Sequence, residues 1–136
     1  LKNLVFVGGI EDVREELANA DIFVCTSVSE ASPTSVWEAM ALGKPIVSTS
    51  VGEVDFIIKN GVSGLVCENH DTLELSEKIK YLLFHDKIKE KIGKSARKRA
   101  IEVLNADSIA NQHYRAYQSV ISPNKDINYT LIGPNT

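Results

Sequence analysis

Four short apolar runs alternate with helix-length segments in the first half of the chain. The runs are continuous and rich in β-branched residues, which is typical of parallel strands buried on both faces. Strand–helix alternation of this kind predicts a parallel sheet whose strands are joined by right-handed crossovers. We expect strands at 4–8, 22–26, 46–49 and 64–67, and helices near 11–19, 33–42 and 53–60.

The second half of the chain has a helical pattern throughout. Asp71 with Glu74 three residues later resembles a capping box at the start of a helix. A second apolar stripe covers 88–103, and Asp107 or Ser108 is placed to cap a last helix. One face of that last helix carries Ile109, His113, Tyr117 and Val120, and we expect His113 to be packed rather than catalytic.

These patterns predict an α/β fold: a Rossmann-like parallel sheet flanked by helices, with extra C-terminal helices. The 136 residues suit one compact domain, which we place at residues 1–121. Pro and Gly residues interrupt the pattern further on, so we interpret 122–136 as a C-terminal tail. Because the chain opens at Leu1 directly on an apolar run, we expect it to be a fragment of a longer protein.

Composition narrows the functional classes. A net charge of −3 argues against a nucleic-acid-binding role, and no apolar run approaches the roughly 18 residues of a membrane span. Cys25 and Cys67 both lie in apolar runs without a metal-ligand spacing. Buried, reduced thiols, no metal site and a cytoplasmic location are the simplest interpretation.

Charge is distributed unevenly along the chain. Residues 1–76 contain four basic and twelve acidic side chains, whereas residues 77–99 contain nine and three, a net charge of +6. The basic segment is suited to peripheral contact with an anionic membrane surface. A solvated helix face, whose lysines flank an apolar stripe, is the simpler alternative.

The segment most suggestive of chemistry follows the second predicted strand and opens a helix. Ligands in parallel α/β sheets bind just beyond the carboxyl ends of the strands. Pro33 suits the first helical position, with Ser32 before it as the expected cap. The amides of Thr34, Ser35 and Val36 are then free donors at the positive end of the helix, where they are suited to bind a phosphate.

Two carboxylates flank this helix end. Glu38 lies five residues past Pro33, about 7.5 Å along the axis, and helical side chains lean towards the N-terminus. Since a carboxylate repels phosphate, we expect Glu38 to contact neutral groups such as ribose hydroxyls. Glu30 in the preceding loop is placed to hold sugar hydroxyls. The alternative is an ordinary helix start with two solvated charges.

Glu30 precedes the segment SPTSVWEAMALGKPIVST, and Glu38 lies within it, with seven residues between the two glutamates. This arrangement resembles the nucleotide-sugar-binding half of glycosyltransferase family 4. The resemblance extends over roughly residues 3–121. Further similar motifs follow in the same order, at residues 20–24, 43–47 and 61–66.

Members of that family are two-domain transferases of the GT-B architecture, with facing Rossmann-like halves. They move a sugar from a nucleoside-diphosphate donor to a glycan or lipid-linked acceptor, with retained anomeric configuration and usually without a metal or other cofactor. The resemblance implies that Glu30 lies near the donor sugar as the catalytic residue. It implies that Glu38 binds the ribose and that the amides around Ser35 and Val36 face the diphosphate.

The resemblance also places Gly9 and Ile10 near the base, and the last helix across towards the other domain. Ala31 and Ser32 depart from the glycine and aromatic residue that many members have there. We expect the isolated chain to be inactive as a hexosyltransferase, because the acceptor domain and a basic diphosphate-binding pair would lie upstream. A nucleotide-sugar epimerase of the same architecture and a non-catalytic nucleotide-binding module remain alternatives.

Overall fold

The computed structural model describes residues 2–121 as a three-stranded parallel sheet with six helices. The strands lie in the order β1-β2-β3, with Phe23 opposite Ile46 and Val47 opposite Leu65. This arrangement confirms the predicted Rossmann-like α/β class with additional C-terminal helices. The strands are β1 (Phe23–Cys25), β2 (Ile46–Thr49) and β3 (Leu65–Cys67).

Each of the six helices lies in a segment with a helical sequence pattern, and the two shortest are shorter than that pattern indicates. The helices are α1 (Arg14–Asn19), α2 (Thr34–Ala41), α3 (Val54–Ile57), α4 (Thr72–Phe84), α5 (Asp86–Val103) and α6 (Ala106–Ile121). No helix within residues 2–121 is long and apolar enough to cross a membrane.

The prediction of a buried strand at residues 4–8 is wrong. These residues adopt no regular secondary structure, and Val5 and Phe6 are 80% and 87% exposed. Extended backbone becomes a strand only when a neighbouring strand accepts its hydrogen bonds. Within the described residues no strand pairs with this run, and the sheet consists of β1, β2 and β3 alone.

The sheet buries both of its faces, as its continuous apolar strands predicted. Neighbouring residues of a strand point to opposite faces, so Ile46 packs in one core cluster and Val47 in the other. The first cluster includes α2 residues such as Met40, and the second includes Leu82 of α4. Helices thus cover both faces and leave the strand ends open for binding.

The two cysteines are buried free thiols, as expected. Burial raises the pKa of the Cys67 thiol, and the nearby Glu74 carboxylate adds to that rise. The Cys67 thiol is therefore a poor nucleophile in the folded chain.

A close helix contact positions α2. A Cβ on Gly93 would lie 2.3 Å from the carbonyl oxygen of Gly43, so α5 approaches the turn after α2 through a residue without a side chain. The Arg97 guanidinium donates to the Ala41 carbonyl at 2.6 Å. The C-terminal end of α2 is therefore anchored to α5, and its N-terminal end points to the carboxyl edge of the sheet.

The cap of α4 is the predicted residue, whereas the cap of α6 is a different one. Asp71 caps α4 as predicted, its carboxylate accepting from the Glu74 amide at 2.8 Å. Neither Asp107 nor Ser108 caps α6. The cap is the Asn105 side chain, two residues before Asp107, which accepts from both of their amides at 2.9 and 3.2 Å.

The expectation that His113 is packed is wrong for the described residues. No residue of α6 is buried, and His113 and Tyr117 are exposed. The tail predicted at 122–136 lies outside the described residues.

Candidate functional site

The connection between β1 and α2 lies across the carboxyl edge of the sheet. Residues 26–33 form this loop, which has no regular structure of its own. Hydrogen bonds from the ends of the neighbouring strands hold it. They join Thr49 Oγ1 to Ser27 O (2.7 Å), Asn69 Nδ2 to Val28 O (2.6 Å) and Glu53 N to Ala31 O (3.1 Å).

Gly52 brings the loop after β2 into direct contact with this connection. Its φ is +54°, and an added Cβ would lie 2.2 Å from the Ala31 carbonyl oxygen and 2.7 Å from that of Glu30. Only glycine permits both the backbone conformation and the approach. The backbone position of Glu30 therefore depends on the absence of a side chain at residue 52.

The Glu30 side chain is exposed and is oriented from within its own loop. Ser27 Oγ donates to Glu30 Oε1 at 2.8 Å. Within residues 2–121 no hydrogen bond reaches its Oε2, so half of the carboxylate is available to an incoming hydroxyl.

The start of α2 differs from the prediction that Ser32 is its cap. The N-cap position is Pro33, and no side chain caps the helix. Ser32 Oγ instead accepts a hydrogen bond from Trp37 Nε1 at 3.0 Å, which uses the hydroxyl and ties the loop to the helix. The Trp37 ring is half-buried against the core.

The prediction of three free amides at this helix end is correct for two of them. The Val36 amide donates to the Pro33 carbonyl at 3.0 Å, because the first turn is tight. The amides of Thr34 and Ser35 have no acceptor in the described part of the chain. An anion at the start of α2 would therefore meet the amides of Thr34 and Ser35.

Glu38 lies on α2 four residues after Thr34, about 6 Å along the helix axis. Its side chain is exposed, and no ion pair engages it within residues 2–121. The structure thus places Glu30, Thr34, Ser35 and Glu38 on one loop and the helix that the loop enters.

The predicted base-contacting residues are not joined to this group. Gly9 and Ile10 lie in the exposed segment before α1, and no hydrogen bond within residues 2–121 links them to α2 or its preceding loop. Their position near a base stays a prediction.

Sequence reasoning missed a small cavity beside the same edge. Its volume is about 130 Å³. Part of its polar lining comes from residues at or just after the three strands, Thr26, Thr49, Asn69 and His70, and the rest comes from Asp71 and Thr72 at the start of α4. His70 is exposed and has a φ of +70°. The available signal was the position of each residue at or just after a strand.

The comparisons with known proteins now identify the family. Residues 1–99 match the family model described as Glycosyl transferases group 1. The chain belongs to this family. Its fold is that of the C-terminal domain of a GT-B glycosyltransferase, which confirms the resemblance at this level.

Two curated relatives illustrate the range of this group 1 glycosyltransferase family. The chain is 35% identical over 116 residues to N,N'-diacetylbacillosaminyl-diphospho-undecaprenol alpha-1,3-N-acetylgalactosaminyltransferase of Campylobacter jejuni, covering 85% of this chain and 31% of that protein. It is 29% identical over 123 residues to N-acetyl-alpha-D-glucosaminyl L-malate synthase of Bacillus anthracis, covering 90% and 32%. The chain thus spans about a third of the length of these relatives.

Solved structures share the same domain. Sucrose-phosphate synthase from Thermosynechococcus elongatus superposes with a TM-score of 0.80 at 27% identity, over 90% of this chain and 31% of that one. A TarM variant from S. aureus, in complex with fondaparinux, alpha-GlcNAc-glycerol and UDP, superposes with a TM-score of 0.69 at 28% identity, over 78% and 22%.

Proposed function

We propose that this chain is the donor-binding part of a retaining glycosyltransferase of family 4, which transfers a hexose or hexosamine from a nucleoside-diphosphate sugar. One observation carries the proposal. The exposed start of α2 presents the unpaired amides of Thr34 and Ser35 between two available carboxylates, Glu30 and Glu38.

The two amides suit the diphosphate of the donor. A helix N-terminus carries a partial positive charge, and unpaired N–H groups donate directly to phosphate oxygens. Diphosphate binding here would place the nucleoside on one side of the helix end and the sugar on the other. Basic residues upstream of Leu1, which the resemblance implies, would supply further positive charge.

The carboxylates suit the hydroxyl groups on either side of that diphosphate. Glu38, one turn along α2, would accept two hydrogen bonds from the ribose diol. Glu30, held by Ser27 with one oxygen available, would accept from the donor sugar. Gly9 and Ile10 would complete the site near the base.

We propose the reaction that the resemblance implies, which is transfer with retained anomeric configuration. The bond between the sugar C1 and the diphosphate oxygen breaks, and its electron pair leaves with the nucleoside diphosphate. The acceptor hydroxyl forms the new C1–O bond on the same face and transfers its proton to the departing phosphate oxygen. The Thr34 and Ser35 amides would stabilise the charge that develops on the leaving group, and the resemblance implies transfer without a metal.

The relatives guide the choice of donor and acceptor. The Campylobacter jejuni enzyme is named for N-acetylgalactosamine transfer to an undecaprenol-linked acceptor, and the TarM variant binds UDP. We therefore propose a UDP-linked donor and a glycan or lipid-linked acceptor. The remaining alternatives among the bases are guanine and adenine.

The exposed apolar face of α6 suits a second domain. Tyr117 and Val120 are 67% and 80% exposed on the same stripe as Ile109, a patch of the kind that marks an interface. We propose that the acceptor-binding domain covers it in the longer protein. The 136 residues alone would then bind donor without transferring sugar.

Isothermal titration calorimetry of the chain with UDP, GDP and ADP tests the proposal. Glu38→Gln should weaken the preferred nucleotide about 10-fold or more, because hydrogen bonds to a charged group contribute about 1.5–3 kcal/mol. Glu16→Gln, an exposed glutamate of α1, is the control with the same change of charge and should bind as wild type. Equal affinity of both variants would refute the ribose role, and no binding of any nucleotide would refute the donor site.

A further inference from the structure

The corner between α4 and α5 carries exposed apolar and basic side chains together. Leu83 and Phe84 at the end of α4 are 52% and 82% exposed, and the half-exposed Tyr81 ring lies beside them. Single exposed apolar residues are ordinary, but adjacent ones form a patch of the kind that marks an interaction site. We define the corner patch as Lys80, Tyr81, Leu83, Phe84, Lys87 and Lys91.

The corner patch lies at the amino end of the sheet, opposite the proposed donor site. Helix α4 begins after the carboxyl end of β3 and packs along β2 and β3, so Phe84 lies at the other end of the strands. The ion pair between Lys89 and Asp21, at 3.9 Å, agrees with this placement because Asp21 precedes β1. The patch therefore does not belong to the donor site.

The positive charge of the corner is largely unneutralised. Its two acidic residues are already paired, Asp86 with Lys89 at 3.0 Å and Glu90 with Lys94 at 2.5 Å. Within the described residues, Lys80, Lys87 and Lys91 make no ion pair. These three ammonium groups are thus free to meet an external anion.

The basic surface continues along α5 from the corner. Lys87, Lys91, Lys94 and Lys98 recur at helical spacing and share one exposed stripe. Residues 1–76, in contrast, carry a net charge of −8.

We propose that the corner patch binds the surface of an anionic lipid bilayer. Phenylalanine and leucine side chains gain by entering the boundary between headgroups and acyl chains, where tyrosine also resides. Lysines extend from such a position to the lipid phosphates. A polyanion such as a nucleic acid would engage the lysines and leave Leu83 and Phe84 in water, so the combination favours a membrane.

The charge segregation fixes the orientation on that surface. The acidic remainder of the chain is repelled by anionic lipid while the corner is attracted. The carboxyl edge of the sheet, with Glu30 and Glu38, then faces away from the bilayer and stays open to a donor from solution. This inference does not depend on the proposed donor chemistry.

Vesicle co-sedimentation of the full 136-residue chain tests the inference. We expect binding to vesicles of phosphatidylglycerol mixed with phosphatidylcholine, and none to phosphatidylcholine alone. The double substitution Lys87→Gln with Lys91→Gln should lower the partition coefficient about 30-fold, since each lysine near an anionic surface contributes a factor of about five. Phe84→Ser should lower it about 10-fold or more.

Matched controls separate the corner from general charge and apolarity. Lys2→Gln with Arg115→Gln changes the net charge equally, and Leu73→Ser removes an exposed apolar side chain from the first turn of α4, at the opposite edge of the sheet. Both should bind as wild type, and circular dichroism should show unchanged folding of every variant. The apolar face of α6 is present in all variants, so any contribution it makes to vesicle binding cancels when the variants are compared.

Three results would overturn the inference. The first is an absence of binding to the anionic vesicles. The second is an equal loss of binding in the corner and control variants. The third is binding to a soluble polyphosphate but not to vesicles, which would assign the lysines to a polyanion instead.

Discussion

Replacement of Gly52 by alanine tests how the structure holds the candidate site. The new Cβ would lie 2.2 Å from the Ala31 carbonyl oxygen, whereas real Cβ contacts stay beyond 3.0 Å. The loop carrying Glu30 must therefore shift by about 0.8 Å or more, because a backbone carbonyl cannot rotate away as a side chain does.

The destabilisation by Gly52→Ala has a conformational part and a steric part, and the same substitution at a second glycine separates them. Gly61 also has a positive φ, +78°, but an added Cβ there meets nothing within 4 Å. Gly61→Ala should cost only the left-handed conformation, about 1 kcal/mol. Gly52→Ala should cost that amount plus about 1–3 kcal/mol for the overlap. The two substitutions thus share the conformational cost and differ in the steric one.

Thermal unfolding and nucleotide titration provide the two measurements. At about 3–6 °C per kcal/mol for a domain of this size, Gly52→Ala should unfold well below both the wild type and Gly61→Ala. It should also bind nucleotide more weakly, because Glu30 and the start of α2 move with the loop. If Gly52→Ala and Gly61→Ala had the same melting temperature and the same affinity, the contact would not hold the site.

Further predictions concern the scaffold. Asp71→Ala removes the cap of α4 and should cost about 1 kcal/mol in chemical denaturation. Cys25 and Cys67 should resist a thiol reagent at neutral pH and react after unfolding, because both are buried. Hydrogen bonds from Lys78 and from the Glu68 amide lower the pKa of Glu74 below its ordinary 4.5. Its stabilisation is therefore present above pH 4.5 and is lost as the pH falls through the lower folded pKa, so Glu74→Gln should be less costly in acid.

The sequence predicted the elements whose causes are local. The continuous apolar runs of β2 and β3 correctly indicate strands buried on both faces, and Asp71 correctly indicates the start of α4. Local hydrogen bonding and helical periodicity act within a few residues, so they can be recognised in one sequence. The motif from Glu30 to Glu38 likewise lies on one loop and one helix.

The errors concern features that depend on distant residues. The apolar run at 4–8 would need a neighbouring strand, and a packed His113 would need a surface to cover its face of α6. The approach of Gly52 to the Glu30 loop depends on two strands being adjacent. The cap of α2 is a local exception, because Ser32 is a suitable cap residue but the indole of Trp37, five residues later, donates to its hydroxyl instead.

The most direct test of the donor site is a nuclear magnetic resonance titration of the ¹⁵N-labelled 136-residue chain with UDP, GDP and ADP. The account predicts that one nucleotide shifts the amide resonances of Thr34 and Ser35 most, and that Glu38→Gln weakens the effect. Saturable shifts confined to other parts of the chain, or no shift with any of the three nucleotides, would contradict it.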